Sequence, residues 1–170
     1  LRYIKEEGER WSVSVESDDV PKWVIEKQNR EYEIADHLFV LSSVAKESMV
    51  KNGVEEKKIF VNPCGVDLSG FYIKKNVQKP TFRVLQTGGI TLGKGVLTLM
   101  EAFNDANLDG SELHFVGGGY NSCSIRGHID KKKRRNTFFH EPVPQVELIH
   151  HYHKSSVFVL ASVSDGFGMV

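Results

Sequence analysis

The stretch FRVLQTGGITLGKG, Phe82 to Gly95, contains the pattern that decides the fold. Its first six residues form a largely apolar run that predicts a buried β-strand, and Gly88-Gly89 end that run. A helix is predicted directly afterwards, over residues 95–107. A strand that passes through a glycine turn into a helix is the repeating unit of parallel α/β sheets.

The same alternation of strands and helices continues on both sides of this stretch. Strands are predicted at 37–42, 58–62, 82–87, 112–116, 137–140 and 157–162, and helices at 21–36, 44–53, 95–107, near 121–130 and at 144–154. The strands are continuous apolar runs without polar alternation, which indicates a sheet that is covered on both faces. The sequence therefore predicts an α/β protein with a doubly wound parallel sheet.

A polar segment from Phe71 to Pro80 is the best candidate for a linker, because it carries three lysines and no strand or helix pattern. We therefore divide the chain into residues 1–77 and residues 78–170. The chain begins at Leu1 and ends at Val170 within an apolar stretch, so we expect it to be a fragment.

Composition excludes several classes of protein. The 170 residues contain 22 basic and 22 acidic side chains, a balance that argues against a nucleic-acid partner. No apolar run reaches the roughly 18–20 residues needed to span a bilayer. Cys64 and Cys123 lie far apart and outside a C-x-x-C spacing, so free thiols in a reducing, cytoplasmic compartment are predicted.

Glycines follow three of the predicted strands at their carboxyl ends. They are Gly88-Gly89, then Gly117 to Gly119, and finally Gly166 and Gly168. Ligands of open α/β sheets bind at this edge, where the backbone must approach the ligand closely. One such loop could be a simple turn, whereas three on one edge favour a binding site.

Lys94 adds a positive charge to the first of these loops, next to the predicted helix N-terminus, which suits a diphosphate. Gly88, Gly93 and Lys94 also match a P-loop apart from its last residue. That motif needs Ser or Thr to ligate Mg²⁺, and Gly95 stands there instead. A magnesium-dependent triphosphate site is therefore the weaker hypothesis.

Four stretches in order resemble one family. They are EYEIADHLFVLSSVAKESMVKNGV (31–54), KIFVNPCGVDLSGF (58–71), TGGITLGKGVLTLMEAF (87–103) and VPQVELIHHYHKSSVFVLASVSDGFG (143–168). Their spacing is similar to that of family 4 retaining glycosyltransferases. The resemblance implies a GT-B fold with two Rossmann-like domains. Residues 1–77 would be the end of the acceptor domain plus the connection, and residues 78–170 a truncated nucleotide-sugar-binding domain.

The resemblance also implies roles for individual residues. Lys94 matches a lysine that contacts the donor diphosphate, and Asp165 matches a carboxylate that contacts the transferred sugar; these two are the predicted catalytic residues. Donor and diphosphate binding is implied for seven further residues, namely Gly88, Gly89, Gly117, Gly119, Gly166, Phe167 and Gly168.

The sequence departs from the family pattern at the same site. Gly89 and Gly93 occupy places where the family has an arginine, and the loss of one charged hydrogen bond is worth about 1.5–3 kcal/mol. Asp165 is one methylene shorter than the usual glutamate. Two functions therefore stay open, a working transferase and a non-catalytic nucleotide-sugar-binding module that has lost part of the diphosphate site.

The transferase hypothesis has definite implications for partners. A nucleoside diphosphate sugar is the donor, and the acceptor hydroxyl belongs to a glycan, a lipid-linked or a small molecule, in glycan or surface polysaccharide biosynthesis. No cofactor and no metal are expected. The resemblance leaves open a peripheral contact with the inner face of a membrane.

Two further clusters have alternative interpretations. His150, His151 and His153 could ligate a metal, but a solvated helix face is the favoured interpretation. The run KKKRR, 131–135, could contact nucleic acid or lipid, but a solvated connection between elements is favoured over both.

Overall fold

The computed structural model describes residues 2–15, 20–73, 79–122, 124–163 and 165. Six α-helices and six strands lie in these ranges. The helices are α1 (Arg2–Trp11), α2 (Lys22–Ile34), α3 (Ser43–Lys51), α4 (Val96–Ala106), α5 (Arg126–Lys132) and α6 (Gln145–Lys154). The strands are β1 (Leu38–Val40), β2 (Ile59–Val61), β3 (Phe82–Thr87), β4 (Ser111–Val116), β5 (Thr137–His140) and β6 (Val157–Phe158).

The chain forms two compact units. One consists of Leu1–Glu16 together with Leu68–Val170, and the other of Ser17–Asp67. This division differs from the predicted one at residue 77, because α1 packs with the later part of the chain. The assignment of the two predicted parts to acceptor and donor domains stays a prediction.

The smaller unit contains a two-stranded parallel sheet, in which Leu38 pairs with Ile59 and Val40 with Val61. Helix α3 begins as its sequence predicts, since the Ser42 hydroxyl accepts a hydrogen bond from the backbone N–H of Ala45 at 3.1 Å. The strand–helix–strand order predicted for this part of the chain is confirmed.

The larger unit contains a four-stranded parallel sheet with the strand order β5-β4-β3-β6. Strand β6 is shorter than the predicted 157–162. The chain still follows β3 as far as Val159, whose N–H donates to Leu85 O at 2.8 Å, and then turns toward the loop after β3. The apolar run 157–162 begins as the predicted strand, but its second half no longer pairs with β3.

Helices cover both faces of this sheet. On one face Val84, Leu113 and Phe115 join a buried cluster with α4 and α5, including Leu97 and Ile129. On the other face the hydroxyls of Thr87 on β3 and Tyr152 on α6 lie 3.4 Å apart. The predicted doubly wound arrangement is therefore confirmed.

Helix α1 was not predicted, because its sequence is polar and is interrupted by Gly8. Trp11, the last residue of α1, is nevertheless buried in the core of the larger unit. The Trp11 Nε1–H donates to Glu7 Oε1 at 2.8 Å, and the Thr98 hydroxyl of α4 donates to the same carboxylate. The Thr98–Glu7 hydrogen bond and an ion pair between Arg10 and Glu101 join α1 to α4.

No α-helix within the described ranges has the length and apolar character that a membrane-spanning helix requires.

Candidate functional site

The loops that follow β3 and β4 are joined through their backbones. The N–H of Gly88 donates to Val116 O at 3.0 Å, and the N–H of Ile90 donates to Gly118 O at 2.8 Å. The N–H of Gly117 donates to His140 O at 3.0 Å, which ties the same loop to the end of β5. Three strand ends are therefore connected at the carboxyl edge of the sheet.

Glycine is required where these two loops touch. A Cβ atom placed on Gly117 would overlap the carbonyl oxygen of Gly88 and lie 2.6 Å from its carbonyl carbon. Gly88 and Gly119 have φ angles of +115° and +102°, a region that other residues rarely adopt. The structure thus brings together Gly88, Gly89, Gly117 and Gly119 as predicted, whereas Gly166, Phe167 and Gly168 lie outside the described residues.

Lys94 ends a short 3₁₀ turn, Leu92–Lys94, that connects the glycine loop to α4. Gly95 follows in the left-handed conformation at φ +66°, and α4 begins at Val96, as the sequence predicts to within one residue. The third loop reaches the same turn, since the N–H of Val163 donates to Gly93 O at 2.9 Å. All three edge loops are linked in this way.

Lys94 and Asp165 form an ion pair, with Lys94 Nζ 2.6 Å from Asp165 Oδ2. Their side chains are 30% and 24% exposed, so solvent can still reach both groups. Sequence reasoning selected the two residues separately, for different roles, and did not predict that they would touch across 71 positions of chain. The charge of Lys94 is therefore balanced by that of Asp165.

Gln86 is a site residue that sequence reasoning missed. It lies in β3 with only 2% of its surface exposed, and its Nε2 donates to the backbone oxygen of Lys94 at 2.9 Å. A polar side chain inside an apolar strand was the available signal, but FRVLQT was interpreted only as a strand.

A model of the family described as "Glycosyl transferases group 1" matches residues 71–170, more than half of the chain. The chain belongs to this family. The predicted relation to glycosyltransferases is confirmed at that level, while membership of family 4 and the retaining outcome stay predictions. No curated protein matched the chain.

Several solved structures are similar to this group 1 chain in fold. Sucrose-phosphate synthase from Thermosynechococcus elongatus aligns with a TM-score of 0.74 and 22% identity, over 94% of this chain and 43% of that protein. The lipopolysaccharide outer core galactosyltransferase WaaB gives 0.59 and 19%, over 79% and 39%, and TarM gives 0.68 and 19%, over 91% and 31%. The predicted α/β fold class is thereby confirmed, and the chain spans less than half the length of each neighbour.

A hydrogen-bonded histidine cluster lies on the face of the four-stranded sheet that α6 covers, opposite the face covered by α4 and α5. Glu112 Oε2 lies 2.9 Å from His114 Nε2, and His114 Nδ1 lies 2.8 Å from His140 Nε2. A carboxylate only accepts, so His114 donates to Glu112 and its other nitrogen accepts from His140. The His151 ring on α6 is tilted by 60° to that of His140, and the two ring centroids lie 5.3 Å apart.

The protonation of this cluster is set mainly by burial. Burial lowers the pKa of His114, His140 and His151, and the nearby charge of Arg83 adds to the effect at each of the three. Hydrogen bonds lower the pKa of Glu112, the one from His114 most and the one from Arg83 next. The cluster is therefore held as neutral imidazoles beside an ionised carboxylate.

We expect this cluster to make the fold sensitive to acid. The unfolded chain takes up protons on histidine near pH 6.5, earlier than the folded chain, so stability is lost as pH falls below that value. The lowered pKa of Glu112 acts in the same direction below about pH 4.5. The melting temperature of the wild type should fall between pH 7.5 and pH 5. The fall should be smaller in His140→Gln. The control His128→Gln, on α5, should show the same fall as the wild type. An equal pH response in wild type and His140→Gln would contradict this account.

The structure revises the interpretation of the histidines on α6 and leaves most of the KKKRR run exposed. His151 and His153 are half-buried rather than on a solvated face, and His153 Nε2 lies 2.8 Å from the backbone oxygen of Tyr72. Among the residues that the structure describes, no three His, Cys, Asp or Glu side chains are grouped to hold a metal ion. In the KKKRR run, Lys131, Lys133, Arg134 and Arg135 are exposed, as the favoured interpretation expects. Lys132 is partly buried, 4.6 Å over the Trp11 ring and 3.6 Å from Glu101.

Proposed function

We propose that this chain binds a nucleoside diphosphate sugar and belongs to a retaining, family 4-like glycosyltransferase. In this proposal the sugar is transferred to a hydroxyl group of an acceptor. The observation that carries the proposal is the meeting of Lys94 and Asp165 at the edge where glycine backbones from two loops are in contact. A cation, a carboxylate and side-chain-free backbone at one sheet edge suit a diphosphate that is bonded to a sugar.

Lys94 would bind the diphosphate by exchanging one anionic partner for another. Its Nζ is already aimed at an oxygen of Asp165 at 2.6 Å, so a phosphate oxygen could take that place. As the bond between sugar and diphosphate breaks, negative charge grows on the leaving group. A fixed cation at that point stabilises the transition state more than the ground state.

Asp165 would then contact the transferred sugar. A carboxylate oxygen accepts hydrogen bonds from sugar hydroxyls and orients the ring for transfer. The exchange has an energetic cost, because the ion pair with Lys94 must open before the donor can bind. We therefore expect Asp165 both to weaken the binding of a bare diphosphate and to favour a donor that carries its sugar.

A non-catalytic nucleotide-sugar-binding module is the second candidate function. The residues from Gly88 to Gly95 include a single charged side chain, Lys94, and Gly89 and Gly93 stand where an arginine was expected from the resemblance. One cation that is shared with Asp165 offers less charge to a leaving diphosphate than two would. Binding without transfer would follow from that deficit.

The acceptor is proposed in more general terms. The names of the structural neighbours include a sucrose-phosphate synthase and a lipopolysaccharide outer core galactosyltransferase, which supports a small-molecule or glycan hydroxyl as acceptor. Glycan or surface polysaccharide biosynthesis, a cytoplasmic location and a peripheral membrane contact are parts of the same proposal.

A thermal-shift panel tests the proposed function. UDP, GDP and ADP are added in EDTA, each alone and as one nucleotide sugar with the same base. ATP is added with Mg²⁺. We expect the nucleoside diphosphate of one base to raise the free energy of unfolding in EDTA, by about 2.7 kcal/mol at a ligand concentration of 100 Kd. Stabilisation by ATP with Mg²⁺ alone would overturn the proposal and restore the P-loop hypothesis. Binding of the nucleotide sugar without release of its diphosphate would favour the second candidate.

A further inference from the structure

Gln86 is a buried amide in a strand whose neighbouring residues are also buried. It is 2% exposed, between Leu85 at 0% and Thr87 at 3%. A primary amide loses its hydrogen bonds to water on burial, and an apolar side chain of similar size would not incur that loss. The contacts of Gln86 therefore indicate what the amide contributes.

Among the described residues the amide makes one hydrogen bond, to the turn that carries Lys94. Gln86 Nε2 donates to the backbone oxygen of Lys94 at 2.9 Å. The orientation of the amide is fixed by this contact, because rotating it would place two carbonyl oxygens against each other. The other end, Oε1, is buried and has no hydrogen-bond partner within the part of the chain that the structure describes.

The Lys94 carbonyl lies at the point where the chain changes direction. It ends the 3₁₀ turn and precedes Gly95, which is left-handed at φ +66°. Hydrogen bonds from Lys94 N to Thr91 O (3.2 Å) and from Gly95 N to Leu92 O (2.9 Å) close the turn on itself. The bond from Gln86 fastens that closed turn to the sheet below it.

We propose that Gln86 is a positioning residue for Lys94, which acts by holding the lysine's backbone oxygen against the carboxyl end of β3. The ammonium group can meet a diphosphate only where the main chain directs it, so the buried amide sets the starting point of the lysine side chain. The ligand readout of this inference rests on the proposed function, and the backbone readout below does not.

Gln86→Met separates positioning from a structural role. Methionine fills a similar volume and removes both the donor to Lys94 and the unpaired Oε1. Loss of the hydrogen bond lowers the free energy of unfolding, and loss of the buried, unpaired oxygen raises it. The global stability should therefore stay close to that of the wild type. Amide hydrogen exchange over residues 91–96 should become about three- to tenfold faster, and affinity for the nucleoside diphosphate that binds in EDTA should fall by a similar factor.

The matched control is Leu85→Met, a swap of similar volume at the adjacent, fully buried position. It should change neither the exchange at 91–96 nor the affinity. Unchanged exchange over 91–96 in Gln86→Met would overturn the inference. So would a general loss of stability that raises exchange throughout the sheet, since Gln86 would then be a packing residue.

The two proposals fail in different ways. If none of UDP, GDP and ADP binds the wild-type chain, the proposed function is wrong, while the exchange comparison still decides whether Gln86 holds the Lys94 turn. If a diphosphate binds the wild type and Gln86→Met equally, with equal exchange, the inference about Gln86 is wrong and the proposed function stands.

Discussion

Replacing Gly95 with alanine is expected to lower the free energy of unfolding by about 3 kcal/mol or more. Gly95 has φ +66°, and a Cβ atom there would overlap the carbonyl oxygen of Ala161 and lie 2.8 Å from its carbonyl carbon. Backbone strain and a backbone clash therefore act together. Urea denaturation of the wild type and the variant measures the difference.

Gly110→Ala is a matched control for this prediction. Gly110 has the same φ of +66°, but nothing lies within 4 Å of an added Cβ. Its replacement should cost only the strain of a left-handed alanine, about 1–2 kcal/mol. If Gly95→Ala were no worse than Gly110→Ala, the third edge loop could not lie against the Lys94 turn as described.

Replacing Lys94 with alanine is expected to weaken nucleoside diphosphate binding by about 10- to 100-fold, as a charged hydrogen bond is lost. Two effects add in the variant. The diphosphate loses its cation, and Asp165 Oδ2, which lies 2.6 Å from Lys94 Nζ in the wild type, is left as a negative charge beside the ligand. Calorimetric titration in EDTA measures the change in Kd.

Lys46→Ala provides the control for charge and exposure. The Lys46 side chain is 29% exposed, against 30% for Lys94, and it too forms an ion pair, with Glu56 at 3.2 Å. It lies in the smaller unit, on α3. An equal loss of affinity in both variants would show a general effect of net charge and would remove Lys94 from its proposed role.

The fold could be predicted largely from the sequence because its signals are local. Apolar runs such as FRVLQT and ELHFV formed the predicted strands, and the Ser42 cap and the glycine loops fell where turn chemistry placed them. The end of β6 and the whole of α1 were exceptions. An apolar run does not reveal where its last residues leave the sheet.

The site was predicted less completely, because its decisive contacts join distant residues. Lys94 was chosen from its glycine loop as well as from the resemblance, and Asp165 from the resemblance, yet their ion pair depends on how the loop after β6 returns to the Lys94 turn. Gln86 and α1 were missed for a related reason. A buried amide and a polar helix contradict local patterns, and only tertiary contacts with Lys94 and with Thr98 explain them.

The most direct test of the central claim is amide hydrogen exchange on the wild-type chain with the nucleoside diphosphate selected by the panel, in EDTA. The account predicts slower exchange at residues 88–95 and 117–119, the two loops that Gly88 and Gly117 bring together. Protection that leaves 88–95 and 117–119 unchanged, or protection of 88–95 only by ATP with Mg²⁺, would contradict it.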